Sequence, residues 1–274
     1  MAALRILTIN TGKCDGPYLQ RLDWLARELV ILQPDIIACQ EAFRDESGTF
    51  DTAGTLAERL QMHLVWAPAR FKARICEGRE VDSWSGMALL SRQPFTMVDT
   101  IELPSDDADG ERLAQAGLLE LGDVFVAIAN LHLTHLRDHD ALRAQQLRRV
   151  LSHPLMTMKR ALRLVCGDFN SRPDGPLLAS ILGTQVFGHV EDAYVAGAGA
   201  IERGTLASGG CVDYVLSLAE DEASHPTFAS SAVVLNRPEP KSGVLPSDHF
   251  GVATTMMTLP VKGWRNRNEV SLGV

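Results

Sequence analysis

Aromatic residues make up only 6% of this 274-residue sequence, and it has no surplus of base: 26 Lys and Arg stand against 34 Asp and Glu, a formal charge of -8. No apolar run approaches the roughly 18 residues that a membrane helix needs. The opening Met1-Ala2-Ala3-Leu4-Arg5 lacks the basic segment and apolar stretch of a secretory leader. The expectation is a chain that neither spans a membrane nor is secreted. Its five cysteines, Cys14, Cys39, Cys76, Cys166 and Cys211, are odd in number and widely spaced, with no C-x-x-C. That pattern disfavours a disulfide framework and a thiolate zinc site, and it points to a reducing, cytoplasmic setting. The acidic balance argues against nonspecific coating of duplex nucleic acid, while leaving room for an enzyme that binds a divalent cation. There is no repeat at about 20–50 residues, which disfavours solenoids and propellers. The Gly-rich segment before Cys211 lacks G-K-[ST] and is no nucleotide-binding P-loop.

What is present is ordinary for a folded domain, 46% hydrophobic and 22% charged. Short β-branched runs alternate with helical patterns, which predicts a layered α/β or α+β architecture. Strands are expected at 4–9, 36–39, 87–90, 162–166, 212–218 and 231–235, and helices at 18–32, 56–60 and 141–151. Residues 118–121 and 124–133 read as a hairpin across Gly122-Asp123. Residues 71–85, 197–210 and 238–246 read as loops, and none resembles an interdomain linker. One domain is expected over 1–261, followed by a peripheral tail at 262–274 that carries Lys262, Arg265 and Arg267.

Polar residues recur at the ends of the apolar strands: Asn10, Gln40-Glu41, His132, Asp168 with Asn170, Asp213, and Asp248-His249. If these ends share one sheet edge, they gather carboxylates, amides and two histidines where α/β proteins place their sites. Oxygen donors without thiolates suit a hard divalent cation, Mg²⁺ or Mn²⁺, with Glu41 the first ligand to name. Each residue also has a plainer reading. Asn10 and the 167–170 segment are turn formers, Glu41 a helix-start acid, His132 a core histidine, and Asp248 a cap.

In order along the chain, Thr8-Ile9-Asn10, Gln40-Glu41, Gly86-Met87-Ala88-Leu89-Leu90-Ser91-Arg92, Asn130-Leu131-His132-Leu133, Gly167-Asp168-Phe169-Asn170, Val212-Asp213-Tyr214 and Ser247-Asp248-His249 resemble the successive signatures of the endonuclease/exonuclease/phosphatase superfamily. The resemblance implies a four-layer α/β/β/α sandwich of two mixed, largely antiparallel sheets, as in deoxyribonuclease I. It implies that Glu41 holds the metal with Asn10, and that Asp248 is a further metal-linked carboxylate. By the same resemblance Asp168 orients the nucleophilic water, and Asn170 bonds a phosphate oxygen. His249, fixed by Asp213, stabilises the transition state, and His132 binds phosphate or assists the leaving group. The reaction implied is metal-dependent hydrolysis of a phosphate ester. A phosphodiester, nucleic acid included, stands ahead of a small-molecule, inositol or lipid phosphate, and a catalytically silent binding module is the remoter alternative.

Candidate substrate contacts are Arg112, Arg74 and Trp84, the last two within a basic and aromatic stretch that also holds Arg70, Lys72, Arg79 and Trp66. Arg143 and Gln146 face either the substrate or solvent. Asp106-Asp107-Ala108-Asp109-Gly110 lacks calcium-loop spacing and reads as a solvated turn. His135, if strand alternation continues past His132, faces away from the site.

Overall fold

The computed structural model describes residues 3–122, 124–182, 187–198, 203–220 and 225–257. Strand β1 (Ala3–Asn10) is followed by helix α1 (Tyr18–Leu32), whose Leu22, Leu25, Ala26 and Leu29 form one buried stripe. The helix stops at Gln33, left-handed with φ 48°, just before Pro34. It returns the chain so that β2 (Ile36–Asp45) pairs with β1 in parallel. Helix α2 (Thr52–Leu60) is capped by Asp51, whose carboxylate accepts from Gly54 N at 2.8 Å. Then come β3 (His63–Ala67), β4 (Phe71–Cys76) and β5 (Arg79–Ser91).

A meander of β6 (Met97–Glu102), β7 (Leu113–Leu121) and β8 (Val124–His132) starts the second sheet. Helix α3 (Asp140–Leu151) and a 3-10 turn, Pro154–Thr157, cross over to β9 (Ala161–Asp168), parallel to β8. The chain continues through α4 (Pro176–Leu182), β10 (His189–Asp192), α5 (Ala193–Ala198), β11 (Asp213–Ala219), β12 (Thr227–Val234) and β13 (Gly251–Met257). One sheet runs β12-β13-β1-β2-β5-β3 with β4 on β5, and the other runs β10-β11-β9-β8-β7-β6.

Three apolar clusters define the layers. Leu7, Ile9 and Ile37 pack outward on α1 and α2, while Leu131, Val165 and Leu216 pack outward on α3 and α4. Between the sheets lie Leu4, Ile6, Ile36, Leu89, Val126, Ile128, Leu164, Val215 and Val252. This is the expected α/β/β/α sandwich of mixed, mostly antiparallel sheets. Among the described residues no helix is long and apolar enough to cross a membrane.

The expected hairpin forms, with Leu121 opposite Val124; Asp123 and the tail at 262–274 lie outside the described residues. Residues 71–85, expected as a loop, instead form the β4–β5 hairpin, with Phe71 opposite Trp84 and Cys76 opposite Arg79. Phe71, Ala73 and Ile75 do alternate with Lys72 and Arg74, but this apolar set is exposed while Arg74 and Cys76 are buried, so the period-2 pattern belongs to a hairpin whose apolar side chains do not face the core. Strands β3, β6 and β10, not anticipated from the sequence, are short and stand at sheet edges.

Because side chains alternate along a strand, Leu4, Ile6, Thr8 and Asn10 share the inner face of β1, and Val126, Ile128, Asn130 and His132 that of β8. Leu164, Cys166 and Asp168 do the same on β9. The space between the sheets therefore turns from apolar to polar toward one end. At the transition the buried Asn130 donates to Cys39 O at 2.9 Å and Ala88 O at 3.0 Å in the opposite sheet, and accepts from Gln40 Nε2 at 2.7 Å. Asn130→Leu keeps the volume but strands these partners without water, and a buried unsatisfied group costs about 1–3 kcal/mol. The expected outcome is a thermal midpoint lowered by roughly 2–12 °C, given about 2–4 °C per kcal/mol at this size, read by calorimetry.

Candidate active site

At the polar end the sheets part into a cleft of about 330 Å³. Asn10 ends β1, and its amide nitrogen reaches across to Asp168 Oδ2 at 3.1 Å while its amide oxygen accepts from Gly12 N at 3.0 Å. Gly12 has φ +65°, and a Cβ there would lie 3.0 Å from both Arg21 Nη1 and Asp248 Oδ1. Arg21, buried on the first turn of α1, donates to the carbonyls of Thr11, Gly12 and Lys13 at 3.1, 3.0 and 2.9 Å, and to Pro246 O at 3.3 Å. One guanidinium thus ties the loop after β1 to the segment carrying Asp248 and His249. Ser247 adds to this tie by donating to Asn10 O at 2.7 Å.

Glu41 sits at a register shift in the β2–β5 pairing between Cys39 and Ala42, with φ 53°. The irregularity breaks the alternation at this point and presents the carboxylate to the cleft. There Glu41 Oε1 meets Lys13 Nζ at 2.8 Å, with side-chain exposures of 13% and 32%.

Asp168 ends β9 directly opposite His132 on β8 and Asp213 on β11. Its Oδ1 accepts from Asn170 N at 2.8 Å, and Asn170, left-handed with φ 46°, donates its own amide to Leu133 O at 3.0 Å. His249 bridges two buried carboxylates, with Nδ1 3.0 Å from Asp213 Oδ2 and Nε2 3.8 Å from Asp168 Oδ2. Burial alone would lower the His249 pKa, but the Asp213 hydrogen bond and charge, helped by Asp168 and Asp248, raise it to about 9. His132, with Nε2 3.5 Å from Asp168 Oδ2, is driven the other way, below the ordinary histidine value, by desolvation and by the cations Arg112 and His249. Burial, followed by the charge of Asp213, pushes the Asp168 carboxyl up, and burial also pushes Asp213 up. One cleft therefore holds a cationic and a neutral imidazole on either side of one carboxylate.

Asn10, Glu41, His132, Asp168, Asn170, Asp248 and His249 all line the cleft, with Asp213 buried behind His249. Ligand atoms of Asp168, Asp213 and His249 lie within 4.8 Å of one another, close enough for one ion. Of the substrate contacts expected from sequence, Arg74 lines the cleft, but its guanidinium is occupied by Ser83 O at 2.7 Å, Ser83 Oγ at 3.0 Å and Arg70 O at 3.2 Å. Trp84 is not among the lining residues. Its ring packs 4.8 Å from that of Phe71 and 6.0 Å from that of Trp66.

Arg112 lines the cleft and is paired with Asp109, which is wholly buried, so the segment expected as a solvated turn is in fact anchored. His135 also lines the cleft and contacts Asp109 at 2.8 Å, because β8 ends at His132 and alternation no longer applies. Arg143 and Gln146 neither coat the helix nor reach the cleft. Arg143 donates to Thr134 O and Leu136 O at 3.1 and 2.8 Å, and Gln146 accepts from Thr134 N at 2.9 Å, fixing the loop between His132 and α3. Lys13 and Arg21 were missed by sequence reasoning. Each looks like a solvated charge, and the Gly12 turn beside them was the only available signal.

A model of the endonuclease/exonuclease/phosphatase family matches residues 7–249. Solved structures share the fold. An endonuclease/exonuclease/phosphatase family protein from Leptotrichia buccalis is 21% identical with a TM-score of 0.70, covering 93% of this chain and 100% of its own. TDP2 from D. rerio, complexed with a single-strand DNA product, is 18% identical with a TM-score of 0.73, covering 94% and 100%. The human Nocturnin catalytic domain, with a bound sulfate anion, is 20% identical with a TM-score of 0.71, covering 93% of each chain. No curated protein matches the chain in sequence.

The Asp213–His249 pair sets a pH dependence. A histidine whose folded pKa is raised contributes stability fully below its unfolded value of about 6.5 and loses it as pH climbs through the folded value. Metal-free protein should therefore lose stability between those limits, and the His249 ring should titrate near 9 by NMR. Asp213→Asn should return that titration toward the ordinary histidine range; an unmoved midpoint would mean that Asp213 is not the cause.

Proposed function

Because the chain belongs to the endonuclease/exonuclease/phosphatase family, we propose that it hydrolyses a phosphate ester with a divalent metal ion, and that its substrate is a phosphodiester, with nucleic acid the leading class. The observation that carries this reading is the buried Asp168 carboxylate, held by the Asn10 amide and the Asn170 N–H, with a cationic His249 beside it.

Glu41, Asp248 and the Asn10 amide put oxygen donors in the cleft, and the ammonium of Lys13 already sits on Glu41, so this position accommodates positive charge. The donor set fits Mg²⁺ or Mn²⁺, held by Glu41 with Asp248 and Asn10. Asp168, Asp213 and His249 are the group whose ligand atoms lie within 4.8 Å of one another, but His249 there is cationic and its Nδ1 is taken by Asp213, which favours the Glu41 position for the ion. When bound, the metal polarises the phosphoryl group and offsets charge on its oxygens.

Asp168 orients the attacking water and accepts its proton as the new P–O bond forms and the ester P–O bond breaks. Asn170, whose second amide hydrogen is unused, donates to a non-bridging oxygen. His249, kept charged by Asp213, faces the charge that develops in the transition state. His132, held neutral, donates N–H to the phosphate or to the departing oxygen. Arg70 and Lys72 line the flank of the cleft on the β4 side, where a polyanion would be drawn despite the net negative charge. The single-strand DNA product in the D. rerio TDP2 structure supports the nucleic-acid reading.

The test is hydrolysis, in Mg²⁺ and in Mn²⁺, of a chromogenic phosphodiester, a phosphomonoester, and abasic and intact DNA. Diester or DNA cleavage is expected, and Asp168→Asn should lower turnover by about 10²–10⁴-fold, the usual contribution of a general base, with nearly unchanged folding. Turnover confined to monoesters would replace the nuclease reading with a phosphatase. Glu41→Gln should abolish Mg²⁺ binding in calorimetry, and undiminished binding would remove Glu41 from the metal site.

A further inference from the structure

Lys13 is the one cation in the cleft whose ammonium rests on the carboxylate assigned above to the metal. Its Nζ lies 2.8 Å from Glu41 Oε1, and no other ion pair of the Glu41 carboxylate is found among the described residues. We propose that Lys13 serves as the internal counter-ion of Glu41 in the metal-free protein and transfers to a phosphate oxygen of the substrate when a divalent ion takes Glu41. This inference rests on the metal-dependent reading and adds a phosphate-binding residue to it.

Three features of the chain make the exchange feasible. The backbone at Lys13 is fixed: it is left-handed with φ 47°, and its carbonyl, with those of Thr11 and Gly12, is held by Arg21. Only the side chain is then able to respond. That side chain is a flexible four-carbon stem carrying a compact charge, and its exposure of 32% leaves it room to swing without opening the core. Finally, Arg74 and Arg112 are committed to fixed partners, Arg74 to carbonyls and a hydroxyl and Arg112 to Asp109. Of these cleft-lining cations, Lys13 is the one whose partner would itself be taken by the ion. Glu41 lines the same cleft as the carboxylates of Asp168 and Asp248, and in the metal-free protein Lys13 offsets its charge. Once Glu41 binds a divalent ion, the ammonium and the ion repel, and the anionic substrate supplies the replacement partner.

Reductive methylation followed by peptide mass spectrometry reads the lysine directly, with the exposed Lys159 and Lys241 as internal standards. Saturating Mg²⁺ is expected to raise labelling of Lys13 several-fold while both standards stay constant. Calorimetry on the full chain should show Lys13→Met tightening Mg²⁺ binding by roughly threefold, the scale of a partly exposed ion pair, with a much smaller change for Lys72→Met. Inorganic phosphate binding to the Mg²⁺-loaded Lys13→Met protein should weaken. If the wild type binds Mg²⁺ through Glu41 but Lys13 labelling does not rise, or if Lys13→Met binds Mg²⁺ no more tightly, the exchange is overturned and the metal reading stands. If the wild type binds no Mg²⁺, both fall together.

Discussion

The hydrogen bond from Asn10 to Asp168 joins residues 158 apart in sequence and, more importantly, the two sheets of the sandwich. Apart from Asp213, the candidate catalytic side chains line the cleft that opens at that junction. Each sheet alone presents half a site: Asn10, Glu41 and the Asp248-His249 segment belong with one, and His132, Asp168 and Asp213 with the other. The apolar layer between the sheets supplies most of the attraction but is not directional. Register between the two halves comes from the polar end of that layer, where Gln40 and Asn130 bond in the dry interior and Asn10 and Asp168 bond at the cleft floor. Buried amides of this kind are costly unless fully matched, so they admit one alignment of the sheets and penalise its neighbours.

The same junction explains how two histidines in one cleft acquire opposite character. His249 has a buried carboxylate behind it and another in front, whereas His132 has cations as its charged neighbours beyond Asp168. Opposed electrostatic surroundings allow one residue type to supply both a fixed positive charge and a neutral hydrogen-bond donor, without a change of protonation having to accompany each turnover.

Much of the site was legible because it is periodic. Asn10, His132 and Asp168 each close a short, mostly apolar strand, so a polar residue there is conspicuous. The layered fold was legible for the same reason. What escaped detection depends on places where periodicity ends. Strand β8 stops at His132, and His135 therefore returns to the cleft. Strand β4 alternates Phe71, Ala73 and Ile75 with Lys72 and Arg74, but its basic residues and exposed apolar side chains read as a polar loop until its pairing with β5 is seen. Arg21, Arg143 and Asp109 resemble solvated charges in a linear sequence, yet each is buried and holds a loop, because their partners are backbone carbonyls or residues drawn together only by folding. Carbonyls carry no signature in a sequence, so the charges that serve them carry none either.

Glu41 occupies a left-handed backbone conformation that glycine adopts freely and that costs other residues about 1 kcal/mol or more. Its neighbours across the cleft, Lys13 and Asn170, share that conformation. The site is thus assembled on backbone that relaxes when its functional side chains are replaced. Laboratory evolution for heat resistance alone would favour glycine or asparagine at position 41, yielding a sturdier protein stripped of its carboxylate. Any programme to harden this scaffold has to select for turnover in the same round, or it will discard the chemistry first.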